Sequence, residues 1–179
     1  MVKGRMESII TIGRFAAEQG DNLLRGVTTQ IVRAIKVQGA DEMHDLRVAI
    51  RRFTRILIVL KPCFPRSESR RIRRGLKQIM TQAGDVRDYD IAMHLIEKTE
   101  LPQATALIGL FREKRKEAAR LLAASLRRWV KRNLPARWRN ARKAEGEPKG
   151  ADGLFCATPI DVAAKRILPP MIAEHFRSG

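Results

Sequence analysis

Apolar residues recur every three to four positions along most of the chain, which is the spacing of one face of an α-helix. Sustained alternation of apolar and polar residues, which marks a half-buried strand, is absent, and so are Asn-Gly hairpin turns. The pattern therefore predicts an all-α fold, an antiparallel bundle of about six long helices joined by short loops.

Capping residues and prolines predict the helix ends in the first part of the chain. The first helix is predicted over residues 7–36, with Gly20 as a point where it could divide. The second is predicted over residues 41–60, with Asp41 as its N-cap and Pro62 and Pro65 beyond its end. The third is predicted from Ser67 to Gly84, because glycine suits the left-handed position after a helix.

Three further helices are predicted beyond Gly84. Asp85 is the predicted N-cap of a fourth helix, with Asp88 in its first turn. Pro102 suits the first position of a long fifth helix that extends to about Asn133. The last helix is predicted to begin at Thr158-Pro159 and to kink or break at Pro169-Pro170.

The second and third predicted helices each separate into an apolar face and a basic face on a helical wheel. The apolar face of the second contains Leu46, Ala49, Ile50, Phe53, Ile56, Leu57 and Leu60, and the opposite stripe contains His44, Arg47, Arg51 and Arg55. The third has Ile72, Leu76, Ile79 and Ala83 opposite Arg70, Arg73, Arg74 and Lys77. Neither stripe contains a carboxylate that would relieve its repulsion.

The charge of the chain is concentrated in two segments. The formal net charge is +17, from 36 Lys and Arg against 19 Asp and Glu. Residues 44–77 carry a net charge of +9 and residues 112–143 carry +11, so the remainder is slightly acidic. Such clustering favours an anionic partner over a general solubilising role.

Two interpretations of the stripes remain open. They are either the solvated outer faces of amphipathic helices or the walls of an anion-binding groove, and the planar fork of arginine suits phosphate. On the fifth helix Arg112, Lys116 and Arg120 recur every four residues, but Glu113 and Glu117 lie beside them. A solvated face is an equally good interpretation there.

Composition narrows the other function classes. No uncharged apolar run reaches the roughly 18 residues that a membrane span needs. Cys63 and Cys156 form no metal-binding or disulfide-framework pattern, so a reducing cytoplasm is the expected location. His44, His94 and His175 match no metal or catalytic motif, and no cofactor and no catalysis are expected. Aromatic residues make up 5% of the chain, which is few for a protein that stacks nucleic-acid bases.

Two motifs resemble the CHAD family, the conserved histidine α-helical domain. The first is His44-Asp-Leu-Arg47-Val-Ala-Ile-Arg51-Arg52-Phe-Thr-Arg55, and the second is Gly84-Asp-Val-Arg87-Asp88-Tyr-Asp90-Ile91. The resemblance covers roughly residues 5–177. It implies a helical bundle that binds inorganic polyphosphate through basic residues lining a channel. The residues that it implies are His44, Arg47, Arg51, Arg52, Arg55, Lys77 and Arg87, to which the wheel adds Arg70, Arg73 and Arg74 and the fifth helix adds Arg112 and Lys116.

The resemblance also implies an incomplete domain, because family members look like two tandem helical halves. Residues 5–143 would form the first half, residues 144–153 a linker, and residues 154–179 the helix that opens a second, absent half. An unpaired last helix would expose Ile167, Leu168, Met171, Ile172 and Phe176, and a homodimer could then complete the missing half.

Non-catalytic binding of inorganic polyphosphate is therefore the predicted function, with polyphosphate granules as a further expected location. The first alternative is a protein that binds the nucleic-acid backbone without sequence preference, because the same stripes would grip its phosphates. The second is an accessory domain of a metal-dependent phosphohydrolase, for which Asp85, Asp88 and Asp90 are the candidate acidic residues.

Overall fold

The structure is a computed structural model that describes residues 10–37, 39–99, 102–146 and 148–177. For residues 40, 145, 167, 168 and 171–177 it describes the backbone alone, so the apolar side chains expected to be exposed on the last helix lie outside it. Within these ranges the fold is an all-α bundle, as predicted. The helices are α1 (Ile12–Lys36), α2 (Ala40–Val59), α3 (Arg66–Glu97), α4 (Ala104–Lys131), α5 (Leu134–Glu145), α6 (Gly150–Ala157) and α7 (Ile160–Arg177), with a 3₁₀ turn over Lys61–Cys63.

The bundle is built from two long helix pairs. α1 packs along α2, and α3 packs along α4, whereas α2 and α3 meet over a much shorter length. The apolar faces predicted for α2 and α3 form the core: Leu46, Phe53 and Leu57 are at most 1% exposed, as are Ile72 and Leu76. Because α2 and α3 pack most of their apolar surface on other partners, an opening remains between them.

α1 begins later than predicted, at Ile12. Residues 10 and 11 precede the helix because this segment pairs with the one before α7: Ile12 N donates to Thr158 O at 2.9 Å and Ile160 N donates to Ile10 O at 3.0 Å. The hydroxyl of Thr11 then accepts a hydrogen bond from Arg14 N as the helix cap. The predicted start at Glu7 lies outside the described residues.

Gly20 does not divide α1, because this glycine has a packing role. A Cβ atom placed on Gly20 would lie 3.0 Å from Phe64 Cε1 and 3.5 Å from Trp138 Cζ2. The absence of a side chain therefore lets two aromatic rings approach the backbone of α1.

The predicted N-cap of α2, Asp41, lies instead in the first turn of that helix, where its charge suits the helix dipole. Gly39 holds the cap position.

The predicted helix break at Gly84 and Asp85 is wrong. A single helix, α3, covers 32 residues from Arg66 to Glu97, and Gly84 has no positive φ. Ile79, Ala83 and Val86 are at most 4% exposed, so the apolar face continues through the glycine without interruption. Burial of that face outweighs the helix penalty of one glycine, which is about 1 kcal/mol. Asp85 and Asp88 are therefore interior residues of a helix and cap nothing.

The chain after Asn133 is more ordered than the sequence predicted. α4 ends at Lys131, close to the expected position, and Asn133 has a left-handed conformation with φ 43°. The basic segment that follows forms α5, and residues 150–153 of the predicted linker belong to α6. Only a short connection remains of the linker. α7 continues as a helix through both Pro169 and Pro170, so the chain does not leave the helix there.

Trp138 explains why α5 is ordered. Its side chain is fully buried, with its ring centroid 5.2 Å from that of Phe64 and 6.0 Å from that of Phe53. The indole Nε1 donates a hydrogen bond to Asp21 Oδ1 at 3.0 Å, which satisfies the buried donor. One aromatic anchor therefore docks an otherwise basic helix onto the bundle.

Cys63 and Cys156 form a disulfide, although the sequence shows no disulfide-framework pattern. Their Cα atoms are 5.8 Å apart although 93 residues separate them in the sequence. The bond joins the 3₁₀ turn after α2 to the end of α6. This pairing could not be read from spacing, because α6 itself was not predicted.

Replacing Gly84 with Ala is expected to raise the free energy of unfolding by about 0.5–1 kcal/mol, because alanine is the better helix former. The added Cβ would be 3.6 Å from Arg47 Nη1, an ordinary contact. Urea denaturation of both proteins measures the change. A loss of stability would instead indicate the left-handed helix end that the sequence suggested.

The double variant Cys63→Ser, Cys156→Ser is expected to lose about 2–4 kcal/mol of unfolding free energy, because the bond closes a long loop in the unfolded chain. Reductant should destabilise the parent protein by a similar amount and leave the variant unchanged. Thiol titration of the unfolded, unreduced parent should find no free cysteine. Two free thiols per chain would contradict the pairing.

Candidate anion-binding groove

The opening between α2 and α3 is a groove of about 880 Å³. The second half of α2 forms one wall and the first half of α3 forms the other. Its lining residues are Ile50, Arg51, Thr54, Arg55 and Ile58 of α2 and Arg70, Arg73, Arg74, Lys77 and Met80 of α3. We refer to these ten residues as the groove.

Both walls of the groove use the same helical spacing. Residues 51, 54, 55 and 58 follow the i, i+3, i+4, i+7 pattern of one helix face, and residues 70, 73, 74 and 77 repeat it. The second half of the basic stripe predicted on α2 and the whole stripe predicted on α3 therefore converge on one surface. Six of the twelve candidate residues meet there: Arg51, Arg55, Arg70, Arg73, Arg74 and Lys77.

These six cations have no acidic partner among the described residues. Within the described part of the chain, none of them lies within 4.0 Å of a carboxylate oxygen. By contrast, Arg66, Arg115 and Arg142 are engaged with Asp152, Asp90 and Asp21. All six side chains are exposed, so their charge is available to a ligand. Cations crowded in this way attract anions, and binding an anion relieves their mutual repulsion.

The floor of the groove is apolar. Ile50 is buried, Met80 is half-buried, and Ile58 is 45% exposed between the two basic walls. The sequence reasoning missed Thr54, Ile58 and Met80 as lining residues. Continuing the spacing from Arg51 through Arg55 would have found Thr54 and Ile58, whereas Met80 required knowledge of how the helices pack.

Six sequence candidates do not line the groove. On α2 these are His44, Arg47 and Arg52, on α3 Arg87, and on α4 Arg112 and Lys116. Of these six, Arg47 most resembles a groove residue. Its Nη1 lies beside Gly84 of α3, so this side chain also lies where α2 and α3 meet. His44, Arg52 and Arg87 are exposed on the same two helices. A ligand role for these residues stays a prediction.

The two candidates on α4 have a different environment. Lys116 Nζ lies 2.7 Å from Glu113 Oε1, and this hydrogen bond lowers the pKa of the Glu113 carboxyl. Both Arg112 and Lys116 are exposed, and α4 contributes no residue to the groove. Their environment is that of a solvated helix face with i, i+3 pairing, which was one of the two interpretations left open.

Asp90 orients an arginine. Its carboxylate accepts two hydrogen bonds from Arg115 of α4, at 2.5 Å from Nε and 3.3 Å from Nη2. Tyr89 beside it packs on Phe111 with ring centroids 6.0 Å apart. The second sequence motif, from Gly84 to Ile91, therefore connects α3 to α4 and does not begin a helix.

Possible metal ligands are dispersed over the described residues. No group of three or more His, Cys, Asp or Glu side chains among them is placed to hold a metal ion. Over the same residues, no helix combines the length and the apolar character needed to cross a membrane.

Comparison with known proteins adds one finding. A family model described as CHAD domain matches residues 21–179, which includes every residue of the groove and both sequence motifs. No curated protein and no solved structure shows significant similarity to the chain.

Proposed function

The chain belongs to the CHAD domain family, and on that premise we propose that its groove binds inorganic polyphosphate without catalysing a reaction. The observation that carries the proposal is the convergence of six cations from α2 and α3 on one surface, without a carboxylate partner among the described residues. A partner that supplies negative charge along a line fits this surface better than a compact anion does.

The chemistry of the six residues supports a phosphate polymer. Five are arginines, whose planar guanidinium groups donate paired hydrogen bonds to phosphate oxygens, and the sixth is Lys77. A polyanion bound by several cations releases its condensed counterions, so binding gains entropy at low salt. The apolar floor formed by Ile58 and Met80 is compatible with this mode because the cationic walls make the contacts.

The alternative of nucleic-acid binding lacks a stacking surface. No aromatic side chain lines the groove, whereas Phe53, Phe64, Trp129 and Trp138 are all at most 5% exposed. Proteins that hold single strands without sequence preference combine cations with exposed aromatic rings. Binding of duplex phosphates alone stays a competing proposal, and competition with DNA at equal phosphate concentration distinguishes the two.

The alternative of an accessory domain for a metal-dependent phosphohydrolase draws on the acidic residues of α3. Asp85 and Asp88 are exposed and Asp90 is engaged with Arg115, and none of the three lines the groove. This arrangement supports binding over hydrolysis. Release of phosphate from polyphosphate in the presence of Mg²⁺ or Mn²⁺ would favour the enzyme.

Location and assembly are part of the proposal. We propose a cytoplasmic protein that associates with polyphosphate granules and forms a homodimer. The Cys63–Cys156 bond weighs against a reducing compartment, because disulfides rarely persist in the cytosol. The redox state of this pair in cells therefore tests the location directly.

Replacing Arg51, Arg55 and Lys77 together with Ala is expected to weaken binding of long-chain polyphosphate by about tenfold or more at low salt. The plot of log affinity against log salt should become shallower by about 2 to 3, roughly one unit for each cation removed. Fluorescence anisotropy with end-labelled polyphosphate over a salt series measures both quantities. Circular dichroism should show unchanged helicity, because the three side chains are exposed.

The matched control is Lys98→Ala, Lys114→Ala, Arg127→Ala, which removes the same charge from exposed positions outside the groove. This variant should bind like the parent protein. Equal losses in the two variants would mean that net charge alone holds the polymer and that the groove is a solvated surface. Long polyphosphate binding no better than tripolyphosphate at equal phosphate would overturn the function itself.

A further inference from the structure

A second opening, larger than the groove, lies beside it at the start of α3, where Arg70 lines both. It has a volume of about 1110 Å³, and α1, the 3₁₀ turn, the start of α3, α5 and α6 bound it. Among the described residues that line it, seven are basic and only Asp21 and Asp152 are acidic. We call this opening the cleft. Its cations include Arg70, Arg139, Lys143 and Lys149.

Both carboxylates of the cleft are already occupied. Asp21 Oδ1 accepts hydrogen bonds from Trp138 Nε1 and from Arg142 Nη1, each at 3.0 Å, and Asp152 Oδ2 accepts one from Arg66 Nη2 at 2.8 Å. Arg139, Lys143 and Lys149 are exposed and have no ion pair with a carboxylate of the described chain. Like the groove, the cleft therefore contains cations that no carboxylate of the described residues neutralises.

Arg70 connects the two openings. It lines the groove and the cleft alike, and its Nε donates only a long hydrogen bond, 3.4 Å, to Arg66 O. Arg66, Arg70, Arg73 and Arg74 follow one another along the first turns of α3. A continuous series of cations therefore leads from the groove across the start of α3 into the cleft.

The walls of the cleft are fixed before any ligand arrives. The Cys63–Cys156 bond joins the 3₁₀ turn to α6, and Arg66 ties α3 to Asp152 of α6. A Cβ atom on Gly13 would lie 3.1 Å from Cys156 O, so α1 and α6 approach closely there. A preformed cleft binds without the entropic cost of ordering its walls.

We propose that the cleft is a second binding section for the same class of ligand, a linear inorganic phosphate polymer that continues from the groove past Arg70. This inference rests on the proposed function of the groove. Nucleic acid fits the cleft less well because its one aromatic lining residue, Phe64, is 5% exposed and offers no face for stacking. A long polymer engages both sections, whereas a short one is held in the groove alone.

The test compares Arg139→Ala, Lys143→Ala, Lys149→Ala with the control variant Lys98→Ala, Lys114→Ala, Arg127→Ala, using long-chain polyphosphate and tripolyphosphate. In the cleft variant the affinity for the long chain should fall about fivefold or more and the salt slope should decrease by about 2 to 3. Its affinity for tripolyphosphate should equal that of the control. Lys149→Glu, a single exposed substitution, replaces the triple variant if circular dichroism shows lost helicity.

Each result separates the two proposals. If the cleft variant binds the long chain like the control while the groove variant does not, the function stands and the second section is wrong. If the parent protein itself shows no preference for long chains, the function of the groove is wrong. Displacement of polyphosphate from the parent, but not from the cleft variant, by single-stranded DNA at equal phosphate would assign the cleft to nucleic acid and overturn the inference.

Discussion

The groove depends on apolar packing that is strong enough to hold like charges close together where α2 and α3 meet. Each pair of neighbouring cations on a helix costs about 0.2–0.5 kcal/mol, and the groove gathers six of them. Burial of a side chain such as Phe53 or Leu57 contributes about 1.5–3 kcal/mol, and both lie on the opposite face of α2. The apolar contacts of α2 with α1, and of α3 with α4, therefore keep the two basic walls in place.

The chain after α4 is attached to this framework by a few specific contacts. Trp138 is buried against Phe53 and Phe64, and Asp21 accepts hydrogen bonds from both Trp138 and Arg142 of α5. Glu68, which is 8% exposed, lies between Arg71 of its own helix and Arg137 of α5. The disulfide then fixes α6. These contacts convert a segment rich in Arg and Lys into one wall of the cleft.

The faces of individual helices were predictable from the sequence, because periodicity acts within one helix. Leu46, Ile50 and Leu76 were assigned to the core and are buried there, and both basic stripes face the solvent. The break at Gly84 was wrong because the weak preference of one glycine gives way to burial on either side of it. α5 was missed because Leu134 and Trp138 are its only two buried apolar anchors among the described side chains, and the segment around them is basic.

The candidate site was predictable only in part, for a similar reason. Arg51, Arg55 and the four cations of α3 were found from their spacing. Which turns of α2 face which turns of α3 depends on tertiary packing, so His44, Arg52 and Arg87 were grouped with them although they do not line the groove. The disulfide between Cys63 and Cys156 likewise joins positions 93 residues apart, and no local sequence pattern predicts such a contact.

The continuity of α3 has a mechanical consequence. At about 1.5 Å per residue its 32 residues extend about 48 Å, and only the first half forms the wall of the groove. α3 meets α2 over a short length but lies along α4, and Asp90, near the C-terminal end of α3, pairs with Arg115 in the middle of α4. A helix bends only gently unless a proline, a bulge or an inserted group kinks it, so it tilts largely as a rod. The packing of α3 along α4 therefore supports the α3 wall of the groove, although α4 itself contributes no lining residue.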